Sequence, residues 1–348
     1  MMLYRLGVLP WQQTQAVYHA LAEVGREGLI FCRPAQRYVC LGFHDDLKEE
    51  VNIDFCQQQA IPLIRRETGG GMVLLDQNQI FFQLILHRSN PLLKGRRDQF
   101  FQQFLAPAVA ALQDFGLSAA IQPPADIVVN GRKISGNGAG DINDYAVYIG
   151  NILIGFDRET MANVLQVPYE EFRKSARQSM DQYMTTLSEE LGYQPDVAVV
   201  ESRLLEHFKA WMPELESGAY FPELENMTEK IALRLTSREF LQLPGKRQRS
   251  RQVKIKENVY LRLHRYTDDS GEGWAIIQIK DHRISHFETH NIACLQQAEI
   301  IPLAPYMQGI PWQEAAIETA LQQWEKEHRG KLPGLDHKLL MQWILTGI

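Results

Sequence analysis

The chain has 348 residues, of which 45% are hydrophobic and 22% are charged, and it carries a net charge of −6 with a pI near 6.0. This composition is typical of a soluble globular protein of two or three domains, and its acidic balance disfavours nucleic acid as a partner. No stretch approaches the roughly 20 apolar residues that a membrane span needs, so we expect no membrane association.

The cysteines and the N-terminus indicate the compartment. Four cysteines are scattered without a C-x-x-C pair, and the first residues lack the apolar segment of a signal peptide. We therefore expect free thiols in a cytoplasmic protein. These cysteines are Cys32, Cys40, Cys56 and Cys294.

The first part of the chain predicts short strands between helices. Thr14 is the candidate cap of the first helix, and Gly116 is the expected stop of the longest amphipathic helix. Helices are predicted at residues 12–26, 46–59 and 98–115, and strands at 29–31 and 38–42.

A glycine-rich stretch at residues 61–86 organises the chain, and it reads IPLIRRETGGGMVLLDQNQIFFQLIL. The pattern predicts a strand, a loop at Gly69–Gly71 and two further apolar segments. Such a loop leaves backbone N–H groups open to an anion, while Arg65 and Arg66 at its mouth offer cationic forks. The stretch lacks the Gly-Lys-Ser/Thr of a Walker loop and the helix of a dinucleotide fingerprint. A hairpin with solvated arginines is the alternative.

A second glycine-rich region surrounds a lysine. Asn130-Gly131 is a strong signal for a two-residue hairpin turn, and Lys133 opens the return strand. A lysine between a rigid turn and a permissive loop suits a side chain aimed into a site, whereas an isolated hairpin lysine is usually solvated. The glycines predicted to form that loop are Gly136, Gly138 and Gly140.

The remaining elements suggest a second domain. The pattern changes near residue 230, so we place a first domain at 1–229 and a smaller one at 230–348. Helices are predicted at 159–165, 168–176, 187–191, 197–212, 312–329 and 336–345, irregular structure at 218–228, a strand or short helix at 231–240, and strands at 145–156, 253–263 and 274–279.

Two polar features of the second domain have competing interpretations. His282, His286 and His290 recur at every fourth residue, which would suit a metal site on a helix. The surrounding pattern is strand-like, so we expect solvated histidines and no metal site. A basic run at 246–256 is either a surface for an acidic acceptor domain or a solvated linker.

The motifs RRETGGG and GRKISGN, roughly sixty residues apart, resemble those of the lipoate–protein ligase A family. That family lies within the superfamily of biotin and lipoate ligases and octanoyltransferases. The resemblance covers residues 10–215, including RYVCLGFHDDLKEEVNIDFC and SMDQYMTTLSEELG. It implies an α/β (α+β) catalytic domain with a mixed central sheet and flanking helices, followed by a small C-terminal α+β accessory domain.

The resemblance implies an ATP-dependent lipoate–protein ligase. Lipoate and ATP would give lipoyl-adenylate and pyrophosphate, and a lysine of a lipoyl acceptor domain would then attack the mixed anhydride. Mg²⁺ is expected with ATP, bridging phosphate oxygens rather than caged by protein. Lys133 is the expected catalytic residue, between the lipoate carboxylate and the α-phosphate. Binding of ATP and lipoate is expected from Arg66, Gly69, Gly70, Gly71, Met72, Val73, Asp76, Ser135 and Gly136.

Two departures from the family pattern leave the acyl substrate open. Leu75 stands where a histidine is usual, which leaves only Asp76 of a His-Asp pair, and the segment 148–151 replaces a His-Gly-Thr step. The alternatives are an octanoyl or lipoyl transferase of the superfamily and a non-catalytic protein that binds acyl-adenylate or an acceptor domain. A cysteine acyl-enzyme is disfavoured because no cysteine lies in the loop after Lys133. Biotin is disfavoured because biotin ligases usually mix glycine with arginine in their loop.

Overall fold

The computed structural model describes residues 1–245, 251–268, 271–290, 303–328 and 337–345. Its contacts divide the chain into two units, Met1–Gln166 with Asp181–Lys246 and Val167–Met180 with Arg247–Ile348. The domain boundary predicted at residue 230 stays a prediction; by contacts, the first unit extends to Lys246. Cys294 and three positions of the basic run, Lys246, Arg247 and Arg249, lie outside the described residues.

A six-stranded mixed sheet forms the centre of the first unit, in the order β10-β11-β6-β2-β1-β12. The pairs β1–β2 and β1–β12 are parallel, whereas β2–β6, β6–β11 and β10–β11 are antiparallel. These strands are β1 (Met2–Leu9), β2 (Gly28–Pro34), β6 (Gln79–His87), β10 (Asn137–Ile142), β11 (Tyr145–Leu153) and β12 (Glu216–Gly218).

Two small sheets accompany the central sheet. One has the order β4-β3-β5, and the other is the antiparallel meander β7-β8-β9. Their strands are β3 (Tyr38–Leu41), β4 (Leu63–Arg65), β5 (Val73–Leu75), β7 (Ala119–Gln122), β8 (Asp126–Val129) and β9 (Arg132–Ser135). The predicted turn joins β8 to β9, with positive φ at Asn130 and Gly131.

Side chains alternate between the two faces of the central strands, and each face packs into its own hydrophobic core. On β6, Phe82 and Leu84 face one core, and Phe81 and Ile85 face the other. The buried Gln83 donates from Nε2 to the Thr14 carbonyl at 2.9 Å, whereas its Oε1 has no partner among the described residues.

Helices cover both faces of the sheet. Residues of α4 and α8 pack in the first core, and residues of α1 and α9 pack in the second. The helices of this unit are α1 (Gln13–Glu23), α2 (Leu47–Glu50), α3 (Ile53–Gln58), α4 (Arg97–Asp114), α5 (Arg158–Val164), α7 (Leu187–Leu191), α8 (Val197–Trp211), α9 (Pro222–Thr236) and α10 (Arg238–Leu241), and α6 (Glu170–Tyr183) carries the chain from the second unit back to the first; Pro91–Leu93 is a short 3₁₀ helix.

The second unit contains a four-stranded antiparallel meander and helices. Its core includes Ile277 on a strand and Leu321 and Trp324 on a helix. The elements are β13 (Arg251–Lys256), β14 (Val259–Asp268), β15 (Gly271–Lys280), β16 (Arg283–His290), α11 (Ala304–Met307), α12 (Glu314–Glu327) and α13 (His337–Leu345).

The predicted α/β class with a mixed central sheet and flanking helices is confirmed, but four local predictions are wrong. Thr14 is buried inside the first helix and bonds Tyr38 and the Trp11 carbonyl instead of capping it. The helix predicted at 46–59 is two short helices, each started by its own Asx cap. Residues 218–228 are partly helical, and the strand predicted at 253–263 is a hairpin that turns at Asn258, where φ is +61°.

Candidate active site

The loop Gly69–Gly71 joins β4 to β5 and is exposed. None of its three N–H groups donates a hydrogen bond within the described part of the chain. Gly70 has φ +89°, a conformation that side-chain-bearing residues rarely adopt. The loop therefore leaves its backbone donors unpaired among the described residues, and anion binding by them stays a prediction.

Arg66 holds this loop in shape. Its Nη2 donates to the carbonyls of Gly69 and Gly71 at 2.8 and 2.9 Å, and its Nη1 donates to the Cys40 carbonyl at 3.3 Å. With the carbonyls turned to the arginine, the opposite edge of the loop is free to present N–H groups. A direct contact between Arg66 and phosphate stays a prediction.

Arg65 does not lie at the mouth of the loop, and this expectation is wrong. Its side chain is fully buried, and it donates to the carbonyls of the 42–45 segment and to those of Leu241 and Leu243. A guanidinium has five donors in a rigid fork, so it can join several carbonyls at once. Arg65 therefore ties the segment after β3 to the end of α10.

Gly42 lets the chain approach the glycine loop closely. A Cβ at this position would lie 1.8 Å from the Gly70 carbonyl oxygen, which no side-chain-bearing residue could tolerate. The Phe43 N–H donates to the Thr68 carbonyl at 3.0 Å, which fixes the two segments side by side. Sequence reasoning missed Gly42, although it is a glycine directly after a buried strand.

Glu67 anchors the loop from behind. Its carboxylate lies 3.1 Å from His19 Nδ1 on α1 and 2.5 Å from Arg234 Nη1 on α9. The close contact with His19 Nδ1 and the hydrogen bond from Arg234 lower the pKa of Glu67 to about 2, although burial opposes this shift. The sequence carried no signal for this cluster, because its members are far apart along the chain.

Lys133 is half-buried on β9, with Nζ 2.9 Å from the Asp126 carboxylate on β8. The β8–β9 hairpin places Lys133 opposite Val128, and the Lys133 carbonyl accepts from Thr185 N–H. The lysine is therefore held by its backbone on both sides and oriented by a carboxylate. Asp126 was not predicted.

Hydrogen bonds connect the strand after the glycine loop with the strand that carries Lys133. Gln79 Nε2 donates to the Leu74 carbonyl, and Gln79 Oε1 accepts from Asn151 Nδ2 at 2.7 Å. Asn151 Oδ1 accepts from Gly136 N–H at 2.6 Å, and the Asn151 carbonyl accepts from the Ser135 hydroxyl. Ser135 and Gly136 thus belong to this network. The network connects the segment of the RRETGGG motif to the segment of the GRKISGN motif.

The segment 136–140, which the sequence predicted to be a second glycine loop, is strand β10 from Asn137 onward. Gly138 and Gly140 lie in β10, paired with Ile149 and Val147 of β11, so that prediction is wrong. A Cβ on Gly140 would lie 2.9 Å from Thr68 Cγ2, whereas one on Gly138 would meet nothing within 4 Å. Gly140 therefore allows β10 to approach the residue that precedes the first loop.

The remaining predicted ligands follow the first loop. Met72 is buried, whereas Val73 is 38% exposed. Asp76 is buried, and its Oδ1 accepts from Asn78 N–H at 2.9 Å, so it holds the turn between β5 and β6. Burial raises the pKa of Asp76, and hydrogen bonding to Asn78 opposes that shift.

The described cysteines are buried thiols. Burial is the largest influence on all three pKa values, and it raises that of Cys56 to about 11. Such thiols are poor nucleophiles because the thiolate is the reactive form.

Within the described ranges no group of three metal-binding side chains occurs, and His286 and His290 lie on β16 instead of a helix. The helices that could be searched in those ranges are too short or too polar to cross a membrane.

The fold and the two motifs point to a known family of catalytic domains. A family model, the lipoyl protein ligase A/B catalytic domain, matches residues 9–209, which is more than half of the chain. The chain therefore belongs to this family, and the resemblance drawn from its sequence is confirmed.

Individual relatives include both ligases and transferases. Lipoate-protein ligase LplJ of Bacillus subtilis is 27% identical over 174 residues, 49% of this chain and 50% of that protein. Octanoyltransferase LipM of Clostridioides difficile is 21% identical over 184 residues, 47% of this chain and 68% of that protein. The chain spans about half the length of the curated ligases it matches first.

Solved structures share the fold. The bipartite lipoate protein ligase of Thermoplasma acidophilum, described with its E2 lipoyl domain, has a TM-score of 0.62 at 21% identity, covering 71% of this chain and 99% of its own. A lipoate-protein ligase A bound with ATP has a TM-score of 0.58 at 20% identity, covering 69% of this chain and 98% of its own.

Proposed function

We propose that the chain is an ATP-dependent lipoate–protein ligase, which activates lipoate to lipoyl-adenylate and transfers the lipoyl group to a lysine of an acceptor domain. The observation that carries this proposal is the hydrogen-bonded path through Gln79 and Asn151, which joins β5, the strand directly after the glycine loop, to the end of β9, the strand of Lys133. The path links a loop whose N–H groups have no partner among the described residues to a lysine oriented by Asp126, in a member of the lipoyl protein ligase A/B family.

The first step requires a carboxylate and a phosphate to be held together against their charge repulsion. The N–H groups of Gly69–Gly71 would bind anionic oxygens, and the Lys133 ammonium would lie between the two groups. An ammonium has three donors, so the contact with Asp126 leaves capacity for ligand oxygens. As the lipoate oxygen bonds to the α-phosphorus and pyrophosphate departs, these donors would stabilise the charge that develops on the phosphate.

The second step transfers the acyl group. The neutral amine of an acceptor lysine would attack the acyl carbon, AMP would leave with the bonding electrons, and the nitrogen would lose a proton. The same donors that bind the phosphate would stabilise the departing AMP. Positioning is the main demand on the protein, and well-oriented groups can lower such a barrier by roughly 7–11 kcal/mol.

ATP and an acceptor domain enter the proposal through family membership and through the relatives described with each of them. The exposed glycine donors fit a nucleotide phosphate. Mg²⁺ would arrive with ATP and bridge its oxygens, since the described residues contain no group of side chains able to hold the ion by themselves.

Octanoyl transfer is the second candidate, because relatives of this activity are among the matches. A cysteine acyl-enzyme would need an accessible thiolate. Cys32, Cys40 and Cys56 are buried, and burial acts to raise the pKa of each. The burial of the described cysteines therefore supports the ligase better than a cysteine-dependent transferase.

Two assays test the proposal. The first measures pyrophosphate release from ATP and lipoate without acceptor; the second measures the intact mass of a lipoyl acceptor domain, with octanoate and biotin in parallel. We expect lipoate-dependent release and a lipoyl-sized gain, both reduced roughly 10²–10³-fold by Lys133→Met. Lys94→Met, at an exposed lysine, is the control.

The alternatives give different results in these assays. A mass gain from an octanoylated donor without ATP would establish the transferase instead. If folded protein released no pyrophosphate with any acid and transferred no acyl group, but bound lipoyl-adenylate in calorimetry, the non-catalytic alternative would replace the ligase.

A further inference from the structure

A pair of basic side chains, Arg262 and His264, lies on β14 in the second unit. Arg262 and His264 are two residues apart on this strand, so their side chains lie on one face of the sheet. The Arg262 guanidinium carbon is 5.2 Å from the centre of the Trp312 ring, and the His264 ring is 6.1 Å from the same ring. Trp312 therefore contacts both side chains.

Three nitrogens of this pair have no partner. Arg262 Nε and Nη1 and His264 Nε2 are buried atoms that form no hydrogen bond with any described residue. His264 is only 2% exposed, so bulk water does not hydrogen-bond to its Nε2 in place of a protein partner. Buried polar groups without partners are rare in folded proteins and indicate a missing ligand or water.

The positive charge of Arg262 is also uncompensated among the described residues. Its neighbours across the sheet are Gln252 on β13 and Ile277 on β15, and Ala275 lies opposite His264. The helix α13, which packs against β14, has the sequence HKLLMQWIL and contains no acidic residue. A partly buried cation without a counter-charge is unfavourable, and an anion would relieve it.

A buried guanidinium in the first unit has many more partners. Arg65 is fully buried and donates from Nη1 and Nη2 to five backbone carbonyls, and only its Nε has no partner among the described residues. Arg262 lies over a tryptophan ring, and its Nε and Nη1 have no acceptor among the described residues. A stacked guanidinium keeps its N–H groups available in its own plane, which is the arrangement used to bind oxyanions.

We propose that Arg262 and His264, beside Trp312, form a binding site for a small oxyanion, of the phosphate or carboxylate class, in the second unit. Arg262 supplies charge and two or more donors, and His264 supplies one further polar nitrogen. His264 is uncharged near neutral pH, because burial and then Arg262 lower its pKa to about 4. Its Nε2 can therefore carry a proton and donate without adding charge. This site does not depend on the ligase activity proposed above.

Calorimetric titration of the full-length protein with inorganic phosphate and, separately, acetate tests the site, with chloride used to match ionic strength. Arg262→Met removes the charge and keeps most of the side-chain volume. Arg265→Met is the matched control, because Arg265 is exposed and lies three residues after Arg262 on the opposite face of the same strand. We expect wild type and Arg265→Met to bind equally and Arg262→Met to bind roughly tenfold or more weakly.

Phosphate can also meet the glycine loop of the first unit, so the difference between the two variants is the readout. Binding of phosphate but not acetate would assign the site to phosphate groups, and binding of both would extend it to carboxylates. Equal affinities of Arg262→Met and Arg265→Met, or no anion binding by wild type, would overturn the proposal.

Thermal unfolding provides a second test that does not require a strong calorimetric signal. Without anion, Arg262→Met should unfold at the same temperature as wild type or higher, because it removes an unpaired buried charge. Phosphate should raise the unfolding temperature of wild type more than that of Arg262→Met. If Arg262→Met fails to fold, His264→Gln takes its place, and an unchanged phosphate response in that variant would count against the site.

Discussion

The two glycine-rich segments of the first unit use the same residue in opposite ways. In the segment 69–71 the glycines are exposed, and their N–H groups have no partner among the described residues. In the segment 136–140 most of the chain is strand β10, and a Cβ on Gly140 would lie only 2.9 Å from Thr68 Cγ2. One segment uses glycine to present backbone, and the other uses it to bring two elements into contact.

The difference lies in what surrounds each segment. Arg66 binds the carbonyls of the first segment and leaves its donors unpaired. The second segment is the edge strand β10, and its backbone groups that face β11 are already used in pairing. A run of glycines therefore predicts a ligand loop only if a side chain nearby can hold its carbonyls and no strand partner competes for its N–H groups.

Among variants outside the proposed catalytic residue Lys133, the largest expected effect comes from Gly42→Ala. Its new Cβ would collide with the Gly70 carbonyl at 1.8 Å, so the first glycine segment must move. A displacement near 1 Å can reduce a rate about 100-fold, and we expect that loss in pyrophosphate release. Gly138→Ala, with open space around its Cβ, is the control and should retain activity. Equal activities of the two variants would refute a role for close approach at Gly42.

Glu67→Gln should have the next largest effect, on stability. The folded pKa of Glu67 is about 2 against an ordinary 4.5, so its carboxylate stabilises the fold above pH 4.5 and loses that contribution as pH falls toward 2. We expect a loss of about 2 kcal/mol near pH 7, which shrinks in acid. Denaturant unfolding at several pH values measures it.

Glu225→Gln, at an exposed carboxylate of α9, is the control for that series. It should leave unfolding almost unchanged at every pH. A Glu67→Gln deficit that stayed constant between pH 7 and pH 3 would contradict the assigned anchor.

Gly70→Ala should destabilise the protein by about 1–2 kcal/mol, since it forces a side chain into positive φ. Its Cβ would also lie 2.8 Å from Arg66 Nη2, the group that shapes the loop. Gly71→Ala has neither problem and should match wild type in thermal unfolding. The opposite order of stability would mean that the loop adopts another conformation.

Gly140→Ala should have the smallest effect, a loss of about 1 kcal/mol or less, because the atom it meets is a methyl group that can yield. Gly138→Ala again provides the matched control in the same strand. A loss of lipoate-dependent activity without any loss of stability in Gly140→Ala would indicate that β10 also contacts substrate.

Local patterns were sufficient for much of this architecture. The Asn130-Gly131 turn, the amphipathic helix α4 and the strands around the glycine loop follow from sequence periodicity and turn chemistry. The strand identity of Gly138 and Gly140 did not, because β-pairing with β11 outweighs the low strand propensity of glycine.

Long-range contacts account for what the sequence could not indicate in the site. Glu67 meets residues 48 positions before it and 167 positions after it, and Asn151 meets Gln79 across 72 positions. Arg65 and Arg66 are adjacent and identical in type, yet one is buried among carbonyls and the other shapes the loop. Only the fold separates their roles.

The buried Arg65 has a consequence for how this chain can be cut into working pieces. Family similarity ends at residue 209, but two acceptors of Arg65 belong to Leu241 and Leu243. A fragment that stopped at 209, or at 229, would remove these two hydrogen-bond acceptors of Arg65. It would also remove Arg234, which pairs with Glu67. The shortest fragment that preserves these contacts is therefore longer than the region by which the family is recognised.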